Sequence, residues 1–147
     1  MSIRLEQITR ENWYECSQLE VKPEQRQFVS SNLVCIAEMQ FYPSWGAYAI
    51  YHKDQMVGFV MYEHDHEQDK WWISNLMIVA DHQGKGHGRA ALHALIPRMM
   101  QRGCREIWVG YTNDNIPARA LSRSLGFTEV GLDDEGEMIA RIRLPIK

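Results

Sequence analysis

Cysteine is scarce in this chain, and the little present is unpaired in pattern. Cys16, Cys35 and Cys104 are an odd number without a CxxC pair, which excludes a disulfide framework and a zinc ribbon. Three reduced thiols acting as small buried hydrophobes are the expectation. No excess of positive charge exists either: Lys+Arg 16 against Asp+Glu 19 gives a net charge of −3. A nucleic-acid-coating surface, which must neutralise a run of phosphates, is therefore not expected. Apolar runs such as Ile73–Ala80 fall far short of the roughly 18 residues a membrane span requires. Met1-Ser2-Ile3-Arg4 is no apolar leader, so a cytoplasmic protein is expected. There is no internal repeat, low-complexity tract or Ser/Gly-rich linker. The 147 residues fit one domain, 1–147, of about the usual 100–200.

What is present is a succession of short elements. Ile3, Leu5 and Ile8 suggest a first strand, and Thr9 caps a helix with Trp13, Cys16 and Leu19 at helical spacing. Asn32 is the expected cap of a second helix, with Leu33, Ile36, Ala37 and Gln40 on one face. An antiparallel meander follows: Gly46–His52, Met56–Glu63 and Trp71–Val79. The last of these is apolar enough to be a central strand covered on both faces. Leu92, Leu95, Ile96, Met99 and Met100 form the stripe of a strong helix that Pro97 should bend and Gly103 end. A strand around Ile107–Val109, a helix at Pro117–Leu125 stopped by Gly126, and a hairpin of Thr128–Leu132 with Glu137–Arg143 complete the order. The fold class is α/β (α+β), with a mostly antiparallel sheet flanked by helices.

Between the third meander strand and the strong helix lies Gln83-Gly84-Lys85-Gly86-His87-Gly88-Arg89. A glycine-rich turn at a helix start exposes free amides and the positive end of the helix dipole, so it suits a phosphate. Lys85 and Arg89 add positive charge. A P-loop would require GxxxxGK[ST], which is absent. A dinucleotide fingerprint would place Gly where Arg89 stands, and would follow a parallel rather than an antiparallel unit. Glu63-His64-Asp65-His66-Glu67 holds metal-ligand residue types without a distant third anchor; a solvated loop and no metal site are expected.

Gln83-Gly84-Lys85-Gly86-His87-Gly88 resembles the Q/R-x-x-G-x-G/A loop of the GCN5-related N-acetyltransferases. Asn115-Ile116-Pro117-Ala118-Arg119-Ala120-Leu121, closed by Leu125-Gly126-Phe127, resembles their N-x-x-A-x-x-L motif with its final G-F. The spacing of the motifs and the element order agree over nearly the whole chain. Segments between Leu19 and Phe59, among them Ala37-Glu38 and Val57-Gly58-Phe59, are similar to the bacterial diamine/spermidine acetyltransferase branch.

The resemblance implies a fold whose parallel central strands splay apart around acetyl-CoA. It places Gln83, Gly84, Lys85, Gly86, His87, Gly88 and Arg89 at the pyrophosphate. The backbone of Leu76, Met77, Ile78 and Val79 would pair with the pantetheine arm, and Asn115 and Ala118 would line the thioester end. Arg123 would reach a phosphate, and the Leu76 amide would steady the oxyanion. It also implies direct acetyl transfer to a primary amine of a small molecule such as a polyamine, and carries a homodimer as an option. Two departures stand out. Ser122 occupies the position of the family's general-acid tyrosine, with Tyr111 as a substitute. Neutral Ser74 and Asn75 stand where the polyamine branch tends to carry carboxylates, leaving Glu38, Asp133 and Asp134 to hold a cationic acceptor. An aminoglycoside, amino acid or peptide amine remains open as acceptor, as does a non-catalytic acyl-CoA sensor.

Overall fold

The computed structural model describes residues 2–145. Its strands are β1 (Ile3–Gln7), β2 (Gly46–His52), β3 (Gln55–Asp65), β4 (Lys70–Ile78), β5 (Glu106–Tyr111), β6 (Thr128–Leu132) and β7 (Met138–Arg143). They form one seven-stranded sheet in the order β1-β2-β3-β4-β5-β7-β6. All neighbours run antiparallel except β4 and β5. The helices are α1 (Trp13–Ser17), α2 (Asn32–Met39), α3 (His87–Gln101) and α4 (Ile116–Leu125). The mixed α/β architecture expected from the sequence is thus observed.

Each face of the sheet carries its own core. Leu92, Leu95 and Met99 of α3 pack with Tyr62, Trp71, Ile73 and Ile107 on one face, together with Leu125 of α4. Cys16 and Cys35 of the first two helices pack with Ala49, Phe59, Met61 and Met77 on the other. All three cysteines are free and buried. Burial holds the Cys16 thiol up to about 12 and the Cys104 thiol up to about 11, which keeps both protonated and inert. Pro97 lies on the exposed side of α3, where water can take the carbonyl its missing N–H leaves free, and the helix continues through it.

Two helix starts differ from expectation. Ser31, not Asn32, caps α2, its Oγ accepting from Val34 N at 3.2 Å. Asn32 turns inward and donates to Cys16 O at 2.9 Å, tying the two helices together. The buried face of α2 is accordingly Asn32, Cys35 and Ile36, while Leu33, Ala37 and Gln40 are exposed. Thr9 opens the turn before α1, exchanging hydrogen bonds with Asn12, and Asn12 takes the cap position.

Strand β4 is also not covered on both faces throughout. Met61 pairs with Asn75 and Tyr62 with Ile73, so Ser74 is an extra, bulged residue. The bulge reverses the alternation. Trp71 and Ile73 face the α3 core, whereas Asn75 and Met77 are buried on the α1–α2 side. Trp72 is half-buried and meets Trp108 across the parallel pair.

Gly58 of β3 pairs with Ile78 of β4. A Cβ there would lie 2.3 Å from Met77 O and 2.9 Å from Ile78 Cδ1. Gly58→Ala should therefore force the two strands apart and lose about 1–3 kcal/mol, the range for overpacking a tight interior. A urea unfolding midpoint indistinguishable from that of the parent chain would refute this.

Candidate active site

The parallel pair β4–β5 is held by only two register pairs, Trp71 with Ile107 and Trp72 with Trp108. Beyond them the strands separate. The gap is a cleft of about 540 Å³, lined from both faces of the sheet. Its walls are β4 from Ile73 to Ile78, β5 and its exit from Val109 to Thr112, the turn before α3, and α4 through Ala118, Leu121 and Ser122. A short 3₁₀ turn, Pro23–Phe28, closes one side with Gln25 and Phe28.

The separation leaves backbone groups without sheet partners. Val79 N donates to Val57 O at 2.8 Å, so Val79 faces β3. By alternation Leu76 and Ile78 turn their N–H and C=O groups toward the edge that β5 has vacated. Gln83 Nε2 reaches back to Ile78 O at 2.8 Å and exchanges side-chain amide hydrogen bonds with Gln25 at 2.7 and 3.0 Å. Met77 and Val79, expected to pair with a pantetheine arm, thus both turn their backbone groups to β3. Gln83, expected at the pyrophosphate, acts here as a latch between β4 and the 3₁₀ turn.

The glycine turn fits a phosphate. Gly84 and Gly86 adopt positive φ values of 77° and 82°, and nothing stands within 4 Å of a Cβ placed on Gly84. Gly86 is the N-cap of α3 without a side-chain cap, so the first amides of the helix point into open space. Gly88 lies beside Leu76 and Leu121, each 3.8 Å from its virtual Cβ, an ordinary contact distance. Arg89 is tethered to Ser124 on α4. Lys85 is exposed and does not line the cleft, and neither does Arg123, which pairs with Glu129 at 2.8 Å.

His87 is unlike its neighbours in the loop. It is 3% exposed, and neither ring nitrogen has a hydrogen-bond partner. Its ring centroid lies 4.8 Å from that of His52 and 6.4 Å from that of His82. Burial foremost, then the nearby His52, His82 and Lys85, hold its pKa below the ordinary histidine value. The positive end of α3 acts in the same direction.

At the inner end of the cleft, Asn115 caps α4, its Oδ1 accepting from Ala118 N at 3.3 Å. Ser122 is buried and lines the cleft. Tyr111 also lines it, but its hydroxyl donates to Glu129 Oε2 at 3.0 Å. Burial, and then this hydrogen bond, raise the Tyr111 pKa, which makes it a poorer acid than a free phenol. Glu129 is held down at about 2 by hydrogen bonds from Arg123 first and Arg119 next.

The expected acceptor residues fare unequally. Ser74 lines the cleft from its bulge, its Oγ donating to Met61 O at 3.5 Å, and lies near the Glu63 carboxyl, whose pKa burial raises. Asn75 lines it too, but donates to Ser30 O at 3.3 Å and Cys35 Sγ at 3.2 Å, bracing β4 against the segment before α2. Glu38 is exposed on α2 and outside the lining; its charge is felt by Glu63 and Cys35. Asp133 and Asp134 are exposed in the β6–β7 turn, outside the lining as well. The Asp133 carboxylate accepts from Glu135 N at 2.9 Å and Glu137 N at 2.8 Å, and so serves the turn itself.

The sequence reading passed over Gln25, Phe28 and Glu137 as wall residues. Gln25 meets Gln83 across 58 positions, a pairing with no local signal. His64, expected in a solvated loop, instead stacks on Trp71 with centroids 3.9 Å apart. Among the described residues no three His, Cys, Asp or Glu gather as a metal site.

A glycine turn at a helix start, beside a strand edge opened by splaying, defines a coenzyme-binding transferase cleft. Residues 3–127 match the acetyltransferase (GNAT) family, and the chain belongs to that family. It is an N-acetyltransferase that uses acetyl-CoA. The chain is 29% identical over 147 residues to the spermine/spermidine N(1)-acetyltransferase of Bacillus subtilis (strain 168), covering 95% of this chain and 97% of that one. A 61-residue segment is 38% identical to the [ribosomal protein bS18]-alanine N-acetyltransferase of Escherichia coli (strain K12), covering 42% and 41% of the two chains. The fold matches PaiA N-acetyltransferase from Thermoplasma acidophilum, solved with coenzyme A, with a TM-score of 0.77 at 16% identity over 97% of this chain and 99% of that one.

The buried His87 fixes a sign for acid sensitivity. Its folded-state pKa lies below that of the unfolded chain, about 6.5, so the unfolded state binds the proton more readily. Its contribution to stability is complete above that value and is lost as pH falls below it. His87→Leu should flatten the dependence of unfolding free energy on pH between about 7 and 5. Parallel curves for the variant and the parent would show that His87 carries no such penalty.

Proposed function

We propose that this acetyltransferase acetylates a primary amine of a small polycationic molecule, a polyamine or diamine such as spermidine, by direct attack on the thioester. The observation that carries the proposal is the two-sided cleft. Its glycine turn and free β4 edge suit a phosphate-bearing thioester from one side. Its other side stays open for an acceptor along Ser74 and Gly110. The spermine/spermidine relative, similar over almost the full length of both chains, favours a polyamine. The alanine N-acetyltransferase of Escherichia coli favours a peptide amino terminus as the second reading, on the strength of a much shorter match.

The chemistry divides among few groups. An alkylammonium, with a pKa near 10.4, must lose a proton before its nitrogen can attack. Ser74 on the cleft wall, with the half-buried Glu63 carboxyl nearby, offers that proton a path out of the cleft. The developing oxyanion requires a fixed donor, which the edge-facing N–H of Leu76 supplies. The sulfur then leaves. With Tyr111 tied to Glu129, the hydroxyls left on the wall beside it are those of Ser122 and Thr112, both weak acids. A thiol pKa of about 8.5 makes the thiolate a tolerable leaving group without strong acid assistance.

The test is a thiol-reagent assay of coenzyme A release with acetyl-CoA and an amine panel: spermidine, spermine, diaminobutane, an aminoglycoside, amino acids and an alanine-terminated peptide. Spermidine or spermine should give the highest kcat/KM. Ser122→Ala should lose less than about tenfold in kcat, below the usual range for removing a general acid. A peptide preferred over every polyamine would reverse the choice of acceptor. A far larger loss in Ser122→Ala would make that hydroxyl the acid.

A further inference from the structure

Glu137 is the one carboxylate among the described residues lining the cleft. It is half-buried, and none of the ion pairs among those residues involves it. Its backbone is fixed twice by Asp133: Glu137 N donates to Asp133 Oδ1 at 2.8 Å, and Asp133 N donates to Glu137 O at 2.8 Å. The side chain folds across β5 at Gly110. A Cβ on Gly110 would stand 3.2 Å from Glu137 Oε1 and 3.2 Å from Ile139 Cδ1, tighter than ordinary contact. Gly110 pairs with Ile139 on the sheet face opposite α3, so this carboxylate lies across the sheet from the phosphate-binding turn.

A half-buried carboxylate without an ion-pair partner among the described residues is free to meet a cation. The cleft therefore carries a positive pole at the α3 terminus with Arg89 and a negative pole at Glu137. We propose that Glu137 is the specificity-determining anchor for a second ammonium group of the acceptor, one remote from the nitrogen that is acetylated. This rests on the acetyl-transfer reading above and refines it. The acidic β6–β7 turn thus contributes indirectly: Asp133 shapes the backbone and Glu137 meets the ligand. Gly110 is the clearance that lets it do so.

The experiment compares spermidine with butylamine, which lacks a second cation, in the parent chain and in Glu137→Gln, Glu137→Asp and Gly110→Ala. Glu137→Gln keeps the shape and leaves the backbone clamp intact. It should raise the KM for spermidine about ten- to hundredfold, the scale of a lost charge-assisted contact. The KM values for acetyl-CoA and for butylamine should change less than about twofold, as neither uses a remote ammonium. Gly110→Ala should act in the same direction and Glu137→Asp should restore part of the loss. Equal losses for both amines, an unchanged spermidine KM, or a parallel rise for acetyl-CoA would overturn the assignment. If the parent chain releases no coenzyme A with either amine yet still binds acetyl-CoA, the amine reading itself fails and this subsite falls with it.

Discussion

The structure turns on a hydrogen-bond ladder that stops early. Parallel β4 and β5 begin as a pair at Trp71–Ile107 and Trp72–Trp108 and then part. Inside a domain, polar backbone groups without partners are costly and therefore rare. Here Leu76 and Ile78 are left facing a gap, and Gln83 satisfies just one of their carbonyls. A ligand with amide groups of its own can take the place of the missing strand. The site is thus a fault in the sheet, held open by everything around it.

Three features keep the fault open. The Ser74 bulge turns Asn75 toward the α1–α2 side, where it ties β4 to Ser30 and to Cys35 of α2. The Gln25–Gln83 exchange ties the far end of β4 to the 3₁₀ turn. On the other bank, Glu129 gathers Arg119, Arg123 and the Tyr111 hydroxyl, fastening α4 to β5 and β6. This last network also explains why Tyr111 is a poor stand-in for an acid: its proton is already committed.

The glycine turn at the start of α3 was the most legible part of the site in sequence. Glycines at 84, 86 and 88 before an apolar helical stripe announce a turn and helix start through local geometry alone, and Gly84 and Gly86 do adopt the left-handed region. The element order was legible for the same reason, because hydrophobic periodicity is local. What was not legible depends on contacts distant in sequence. The Ser74 bulge reverses the facing of β4 without a compositional signal, and the inward turn of Asn32 depends on Cys16 being across from it. Val79 looked equivalent to Ile78 until its pairing with Val57 showed which edge it faces. The acidic turn drew attention to Asp133 and Asp134 by composition, whereas the carboxylate that reaches the cleft is Glu137, a few residues on.

Leu76 and Ile78 present backbone N–H groups without sheet partners to the cleft, while Met77 and Val79 serve β3. Residue-resolved amide hydrogen exchange, read by NMR with and without coenzyme A, tests it directly. In the free protein the Leu76 and Ile78 amides should exchange markedly faster than those of Met77 and Val79, and coenzyme A should slow those of Leu76 and Ile78 selectively. Equal protection of all four amides in the free protein, or no selective slowing when coenzyme A is added, would show that β4 has no free edge there.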